Sequence, residues 1–397
     1  MPLHLRCLQN SLKIGTKIIS TKNHPTIEAM TDHWSNHYGK QKWHKESHTQ
    51  YARANEFCST LKQPLRAPET QRTPPWIDKP MRTDLSLKKK INKQTDSPEL
   101  MKSAALELID KYNGHTLIYT DGSKAENRVA AAYYIPSKNV SKSLKLVDNS
   151  SVYAAELSAI VESVRWISEN ENHFLNKFVI LTDSLSAATS IKQNNSTSRP
   201  NLFTELREST NKLKYSDITV AWIPSHVGLT GNEEADSLAK KGLEIEKINS
   251  TAYLELAEIQ SQIKDFVLQK WQTEYNQDTK GRFYKNIEPQ VSTNIKYLDF
   301  PRKQEVQISR LRFGHVLSKA WLKKINKSGS DLCPVCQKSE TLEHLLLNCK
   351  NHDISITLNQ KCQDKKVEFN TRNILSIRNI TLEAFAIIMK ITNGKIL

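Results

Sequence analysis

The stretch LIYTDGS, from Leu117 to Ser123, constrains the fold of this chain more than any other stretch. Its apolar and aromatic residues predict a buried strand, and the acid and glycine that follow predict that the strand ends in a turn. Asp121 is therefore expected where a core strand reaches solvent. A carboxylate in such a place is either a turn-former or an acid held rigidly for chemistry, and this stretch alone does not distinguish the two.

Three further acids lie downstream, each expected at a strand end or on the inner face of a helix. Glu156 stands in VYAAELSAI, Asp183 in FVILTDSLSAA and Asp236 in HVGLTGNEEADSLAKKG. One edge of a sheet could gather all four acids. Because neighbouring carboxylates repel one another without a metal ion, such a cluster favours chemistry over a structural role.

The segments around these acids alternate between the periodicities of strands and helices. The predicted strands are 115–120, 128–135, 141–147, 177–182 and 218–223, the first three forming an antiparallel meander. The predicted helices are 97–112, 152–170, 184–193, 202–213 and 231–242. Five strands with helices on both faces define an α/β domain with a mixed sheet.

The motifs TDGS, AAEL, LTDS and IPSHVGLTGNEEAD occur in this order, and the segment from His115 to Leu243 resembles a type 1 ribonuclease H domain of non-LTR retrotransposon polyproteins. The resemblance implies the ribonuclease H-like five-stranded mixed sheet. It also implies that the chain is an enzyme that cuts the RNA strand of RNA/DNA hybrids and leaves a 3′-hydroxyl and a 5′-phosphate.

Phosphodiester hydrolysis needs an activated water and charge relief on the leaving oxygen, which two Mg²⁺ ions, or Mn²⁺ in their place, supply. The resemblance implies that Asp121 bridges both ions. Glu156 and Asp183 complete one side, and Asp236 holds the other ion. His226, on the loop SHVGLTG, is expected to move a proton or to help the product leave, although an isolated loop histidine is usually an ordinary surface residue.

The resemblance further implies contacts with the substrate. Glu156 and the backbone around Gly122 and Ser123 are expected to sense the ribose 2′-OH, which separates RNA from DNA. Ser184 and Asn232 match positions near the substrate in relatives. Many cellular relatives insert a basic, tryptophan-bearing helix between positions 183 and 218. This chain has no tryptophan there, so we expect hybrid affinity to depend on its basic flanks.

The charge of the chain favours a polyanionic partner. Its formal net charge is +15, and Lys and Arg replace condensed counterions on nucleic-acid phosphates. The alternative is that a basic surface merely keeps the chain soluble. Without a run of about eighteen apolar residues no membrane span is predicted, and without a signal-peptide pattern an intracellular location, nuclear or cytoplasmic, is expected.

Four potential metal ligands cluster near the C-terminus with the spacing Cys333-x2-Cys336-x7-His344-x4-Cys349. Thiolates and imidazole suit tetrahedral Zn²⁺, and two close pairs can clamp the ion. The pattern resembles the C-terminal CCHC element of the same retrotransposons. Its central gap is longer than in retroviral zinc knuckles, so we expect metal-stabilised folding rather than base recognition.

Two helical segments precede this element. The stripe Leu256, Ile259, Ile263, Phe266 and Val267 is explained by ordinary packing of a helix. The segment VQISRLRFGHVLSKAWLKKI, from Val306 to Ile325, is both basic and aromatic. It indicates either a nucleic-acid surface or a solvated helix face; the residues in question are Arg310, Arg312, Lys319, Lys323 and Lys324.

The predicted organisation is a basic, proline-punctuated tail or linker (1–80), a linker with a lead-in helix (81–112), the catalytic domain (113–247), a helical region (248–325), the zinc element (326–352) and a C-terminal tail (353–397). We expect the chain to be the C-terminal part of a larger ancestral polyprotein with a reverse transcriptase domain. The rival hypothesis is a catalytically silent, nucleic-acid-binding remnant. The presence of all four acids favours the enzyme.

Overall fold

The computed structural model describes residues 1–21, 50–61, 78–92, 95–249, 253–294, 300–350 and 353–391. The chain divides into two compact units. The first, which we call the sheet unit, comprises Cys7–Lys264, and the second, which we call the helical unit, comprises Met1–Arg6 and Asp265–Leu397. Each unit buries a hydrophobic core of its own.

The sheet unit contains one mixed sheet with the strand order β1-β6-β5-β2-β3-β4. The strands are β1 Arg82–Asp84, β2 Thr116–Ala125, β3 Arg128–Ile135, β4 Val140–Lys145, β5 Asn176–Thr182 and β6 Ser216–Trp222. The predicted meander is confirmed, because β2, β3 and β4 are antiparallel neighbours. The pairs β1–β6, β6–β5 and β5–β2 are parallel.

The sheet has six strands, and the prediction of five was wrong in this respect. The additional strand β1 pairs in parallel with β6, with Arg82 opposite Thr219. Outside the ladder, the hydroxyl of Tyr112 donates to Asp84 at 2.9 Å. The three residues of β1 are polar and lack alternation, so only pairing with the distant β6 makes them a strand.

Fifteen α-helices lie among the described residues. They are α1 Leu3–Ser20, α2 Gln50–Leu61, α3 Leu87–Lys90, α4 Pro98–Asp110, α5 Val152–Glu169, α6 Leu185–Lys192, α7 Pro200–Lys212, α8 Thr230–Gly242, α9 Leu256–Gln277, α10 Arg282–Ile287, α11 Arg302–Arg312, α12 Lys319–Lys324, α13 Ile354–Asp364, α14 Thr371–Ser376 and α15 Arg378–Ile391. Helices α4, α5 and α6 are capped by the serines Ser97, Ser151 and Ser184, whose hydroxyl oxygens each accept a hydrogen bond from a backbone N–H of the first turn.

Helices α5 and α8 cover opposite faces of the sheet, which confirms the predicted α/β architecture. A Cβ at Gly122 would lie 2.6 Å from the backbone nitrogen of Glu156 on α5. A Cβ at Gly242, on α8, would lie 2.9 Å from the Cβ of Ala130. Ala130 is the ladder partner of Ser123, and successive strand residues point to opposite faces. The two glycines therefore allow both helices to approach the sheet closely.

Regular structure also occurs where tails were expected. Helices α1 and α2 lie within 1–80, and α13, α14 and α15 lie within 353–397, whereas the proline-rich part at 62–77 is outside the described residues. The domain boundaries given above stay predictions. On α9 the predicted stripe is buried at Ile259, Ile263 and Val267, but Phe266 is 43% exposed. No described helix is both long and apolar enough to cross a membrane.

Candidate active site and cysteine–histidine cluster

Asp121 lies inside strand β2 rather than at its end, so the predicted turn after it was wrong. The ladder with β3 continues through Asp121, opposite Ala132, as far as Ala125. The parallel pairing with β5 ends one residue earlier, at Thr120. Asp121 is thus a buried carboxylate, 7% exposed, and lies just beyond the last residue of β2 that pairs with the parallel strand β5. Gly122 allows close approach of α5 rather than a turn.

Three of the four predicted acids come together beside this point. Asp183 directly follows the last residue of β5, and the parallel pairing of β5 with β2 brings it next to Asp121. Glu156 lies in the second turn of α5 and is 7% exposed. One carboxylate oxygen from each of Asp121, Glu156 and Asp183 lies within 4.8 Å of the other two. We call these residues the three-acid group.

Asp236, the fourth predicted acid, is outside the three-acid group. Its Oδ2 accepts from Nζ of Lys240, one turn further along α8, at 2.7 Å. Its charge nevertheless acts on the group, because it is one of the causes that raise the pKa of Asp121. The structure therefore brings the carboxylates of three acids within 4.8 Å of one another and keeps the fourth within electrostatic range.

Burial and mutual repulsion disfavour the charged forms of this group. Burial is the largest cause that raises the pKa of Asp121 to about 7, and the charges of Asp183 and Asp236 act in the same direction. The pKa of Glu156 is raised well above its ordinary value by burial first and then by Asp121 and Asp183. The buried Oε2 of Glu156 has no hydrogen-bond partner within the described parts of the chain. Clustered carboxylate oxygens that need a counter-charge fit a hard divalent cation such as Mg²⁺.

Asp183 is held from two sides. Nδ2 of Asn232 donates to its Oδ2 at 3.4 Å, and Nε1 of Trp222 donates to its backbone carbonyl at 3.1 Å. Trp222 is 3% exposed, which confirms that it packs in the core. From its sequence context, Trp222 was predicted only to pack in the core, and its hydrogen bond to Asp183 was not predicted. A tryptophan that ends a strand beside an acidic loop could have signalled such a contact.

The remaining predicted site residues are His226, Ser123 and Ser184. His226 is exposed on the loop between β6 and α8 and has a φ of 54°. Ser123 follows Gly122 on β2. Ser184 caps α6 and shares a hydrogen bond of 3.1 Å with the hydroxyl of Ser186. The expected contacts of these residues with a substrate stay predictions.

In the helical unit, the structure brings the four residues of the Cys-x2-Cys-x7-His-x4-Cys pattern together. One ligand atom from each of Cys333, Cys336, His344 and Cys349 lies within 4.8 Å of the others. The Sγ atoms of Cys333 and Cys349 are 3.8 Å apart. The backbone amide of Lys350 donates to Sγ of Cys336 at 3.3 Å. The four residues that the sequence spacing grouped are thus close together in the structure, and their role as zinc ligands stays a prediction.

The chemistry of this cluster fits Zn²⁺. Burial alone would raise the pKa of Cys333, but hydrogen bonds from the backbone of Cys336, from His344 and from Cys349 outweigh it and lower the pKa to about 6. The buried Nε2 of His344 has no hydrogen-bond partner within the described residues. A thiol that ionises readily and an uncommitted imidazole nitrogen are the donors of tetrahedral zinc sites.

The sheet unit contains a segment that is similar in sequence to known proteins. Residues 113–244 match the RNase H family model. Over 130 residues the chain is 32% identical to the Gag-Pol polyprotein of bovine immunodeficiency virus (strain R29), covering 32% of this chain and only 8% of the polyprotein. The crystal structure of RNase H1 from Halobacterium salinarum NRC-1 is 19% identical, with a TM-score of 0.27, and covers 33% of this chain and 98% of that one. The chain contains an RNase H domain, and its predicted RNase H-like fold is confirmed.

Proposed function

We propose that the RNase H domain is a type 1 enzyme that hydrolyses the RNA strand of RNA/DNA hybrids endonucleolytically. The observation that carries this proposal is the three-acid group, buried within the residues that match the family. A structural role does not explain why three carboxylates that repel one another share one site. A site for metal ions that act on a phosphodiester does.

Asp121, Glu156, Asp183 and Asp236 would hold two Mg²⁺ ions, for which Mn²⁺ can substitute. When bound, the ions would activate a water and neutralise charge on the leaving oxygen. To bind a metal ion, the carboxylate of Asp236 would give up its ion pair with Lys240. Because Lys240 is exposed, its ammonium group returns to water at little cost.

The residues around the acids hold the site in place. Asn232 and Trp222 fix the carboxylate and the backbone of Asp183. Gly122 lets α5 approach β2, which sets the position of Glu156 relative to Asp121. Glu156, with the backbone of Gly122 and Ser123, would recognise the ribose 2′-OH, and Ser184 would lie beside the substrate. The exposed His226 would carry a proton to or from the departing product.

We further propose that Cys333, Cys336, His344 and Cys349 hold a structural Zn²⁺ and that the chain derives from a non-LTR retrotransposon polyprotein, with a reverse transcriptase domain as its partner. The compact cysteine–histidine cluster supports the zinc site. The ordered motifs of the domain and the similarity to a viral polyprotein support the origin.

The test is cleavage of a labelled RNA/DNA hybrid, with single-stranded RNA and double-stranded DNA beside it, in the presence and absence of Mg²⁺. We expect the wild type to cut the hybrid only and to need the metal. Asp183→Asn should lower the rate more than about 100-fold because it removes a metal ligand. Asp110→Asn, which changes an exposed acid at the end of α4, is the matched control and should cut normally.

Tight binding of nucleic acid without any cutting would contradict the proposal. It would instead support the hypothesis of a non-catalytic nucleic-acid-binding protein.

A further inference from the structure

A cleft of about 1060 Å³ lies in the helical unit, and the proposed hydrolysis does not use it. Its walls come from the end of α9, from α10, from the turn after α11, from α12 and from the residues just before His344. Part of it belongs to the basic and aromatic segment 306–325, for which the sequence left two explanations open. We call it the aromatic cleft.

Four aromatic rings follow one another along this cleft. Tyr284 stacks on Phe313, with ring centroids 4.8 Å apart and planes at 20°. Phe313 lies 6.3 Å from His315, and His315 lies 4.9 Å from Trp321. Phe313 is 49% exposed, and His315 is exposed as well. A row in which two of the rings are exposed offers flat surfaces to a ligand that is itself flat.

A tight turn of the backbone places Phe313 and His315 in the same row of rings. Helix α11 ends at Arg312, and Gly314 follows Phe313 with a φ of 75°, in the left-handed region. A Cβ at Gly314 would lie 3.1 Å from the ring of Phe283. Glycine therefore permits the tight reversal that puts Phe313 and His315 side by side.

The rim of the aromatic cleft carries more positive than negative charge. Its charged lining residues are Lys280, Arg282, Lys285 and Lys324 on one hand and Asp278 and Glu343 on the other. Nζ of Lys324 lies 5.2 Å from the ring centroid of Trp321, and Nζ of Lys285 lies 5.0 Å from that of Tyr275. Cations in the same cleft as exposed aromatic rings are the combination that binds single-stranded nucleic acid, because phosphates pair with the cations while bases stack on the rings.

We propose that the aromatic cleft is a second nucleic-acid site, which binds a single strand by stacking its bases on Phe313 and His315. A solvated helix face explains the lysines but not the half-exposed phenylalanine in a row of rings. An apolar peptide would use the rings but leave the cationic rim without a purpose. A duplex would use the cations only, because its bases stack on one another. The proposal concerns binding alone and does not depend on hydrolysis.

The test is fluorescence anisotropy of the full-length chain, without added Mg²⁺, with short labelled oligomers of uridine and of thymidine. Phe313→Ala should weaken binding of the single strand by about 5- to 100-fold, the range found when one stacking ring is lost. Phe174→Ala is the matched control, because Phe174 is also an exposed phenylalanine, 75% exposed, but lies in the sheet unit.

Three further measurements separate stacking from folding and from charge. Phe313→Tyr keeps the ring and should restore the affinity to within about 2-fold of the wild type. An oligomer with abasic sites keeps the phosphates, and wild-type protein should bind it about as weakly as Phe313→Ala binds the intact oligomer. Lys324→Ala should reduce the slope of log affinity against log salt by about one, whereas Lys327→Ala, outside the cleft, should not.

The proposal would be overturned by any of three results. The first is an abasic oligomer that binds the wild type as tightly as the intact one. The second is Phe313→Ala with wild-type affinity. The third is a duplex that binds as well as the single strand and competes for the same site.

Discussion

Asp121 is buried in the middle of β2, with the carboxylates of Glu156 and Asp183 beside it. Each of these groups loses hydration on folding, and each raises the cost of charging the others. The arrangement is therefore unfavourable at neutral pH unless a cation binds. A site that attracts Mg²⁺ strongly is for the same reason a site that destabilises the protein when the metal is absent.

Asp121→Asn should stabilise the metal-free protein at pH 8. Because the pKa of Asp121 is raised from 3.8 to about 7, the folded state binds its proton more tightly than the unfolded chain does. This contribution to stability is complete below pH 3.8 and is lost as the pH rises through 7. The neutral amide avoids that loss, so the free energy of unfolding of the variant should exceed that of the wild type by on the order of 1–3 kcal/mol. The measurement is thermal unfolding from pH 5 to pH 8.

The advantage of Asp121→Asn should shrink towards pH 5, where the wild-type carboxyl is protonated, and should disappear when Mg²⁺ is added to both proteins. The exposed Asp110→Asn should show no comparable trend. Equal midpoints of wild type and Asp121→Asn at pH 8 without metal would contradict the expected cost of charging this site.

Gly122→Ala should damage both stability and activity. The new methyl group would lie 2.6 Å from the backbone nitrogen of Glu156 and 2.8 Å from the Cβ of Ala155. Helix α5 must then move, at a cost of about 1–3 kcal/mol, and Glu156 moves with it. Gly329→Ala is the control, because its Cβ would meet nothing within 4 Å. Urea unfolding and hybrid cleavage measure the two effects, and an unchanged Gly122→Ala on both counts would refute the close approach of helix and strand.

The start of α5 is hydrogen-bonded to the first turn of α9. Glu258 on α9 accepts from the backbone amide of Ser151, the N-cap residue of α5, at 2.5 Å and forms an ion pair with Arg199. Arg199 is 1% exposed and also donates to the carbonyl of Tyr253 at 2.7 Å. The helix that carries Glu156 is therefore anchored by a buried ion pair whose members lie far apart in the sequence.

Arg199→Met should destabilise the sheet unit by about 3–5 kcal/mol, because it leaves Glu258 buried without its cation. Arg128→Met, which changes an exposed arginine of β3, is the control and should stay within about 0.5 kcal/mol of the wild type. The double variant Arg199→Met with Glu258→Gln should recover part of the loss. Glu258→Gln alone completes the cycle. Chemical denaturation measures the wild type and the four variants, and strictly additive effects of Arg199→Met and Glu258→Gln would show that the pair is not coupled.

The elements that sequence patterns predicted well are those whose stability is local. Strand β3 has the predicted bounds because its apolar run is unbroken, and α5 begins after a serine cap, as short-range rules require. Strand β1 and the burial of Arg199 depend on partners distant in sequence, so no local pattern indicated them. At the site, the order of the motifs singled out Asp121, Glu156 and Asp183, which the structure brings close together, but the local rule that glycine marks a turn hid the continuation of β2. The ion pair that Asp236 forms with Lys240 depends on side-chain geometry that motifs do not encode.

The whole molecule combines two cores with two different metal-ligand chemistries. The three-acid group of the sheet unit offers only oxygen, which suits hard Mg²⁺, whereas the cysteine–histidine cluster of the helical unit offers sulfur and nitrogen, which suit Zn²⁺. The cysteine–histidine cluster would bind Mg²⁺ only weakly, because Mg²⁺ prefers oxygen ligands. Withholding Mg²⁺ would therefore leave a Zn²⁺ bound by the cysteine–histidine cluster in place, so the dependence of the sheet unit on Mg²⁺ can be measured in the intact chain.

Cys349→Ala should abolish zinc binding, and Cys362→Ala should not. Both cysteines are buried in the core of the helical unit, but only Cys349 belongs to the cluster. Elemental analysis should find about one zinc per chain in the wild type and in Cys362→Ala, and almost none in Cys349→Ala. Because zinc binding contributes directly to folding free energy, Cys349→Ala should also lose far more stability than its control.

Calorimetry of the same variants tests whether the two cores unfold separately. Loss of zinc should lower only the transition of the helical unit, and Asp121→Asn without Mg²⁺ should raise only that of the sheet unit. If both substitutions moved one shared transition, the two cores would form a single cooperative unit. Metal binding at either site would then stabilise the other by linkage, and the RNase H domain would depend on zinc that it does not itself bind.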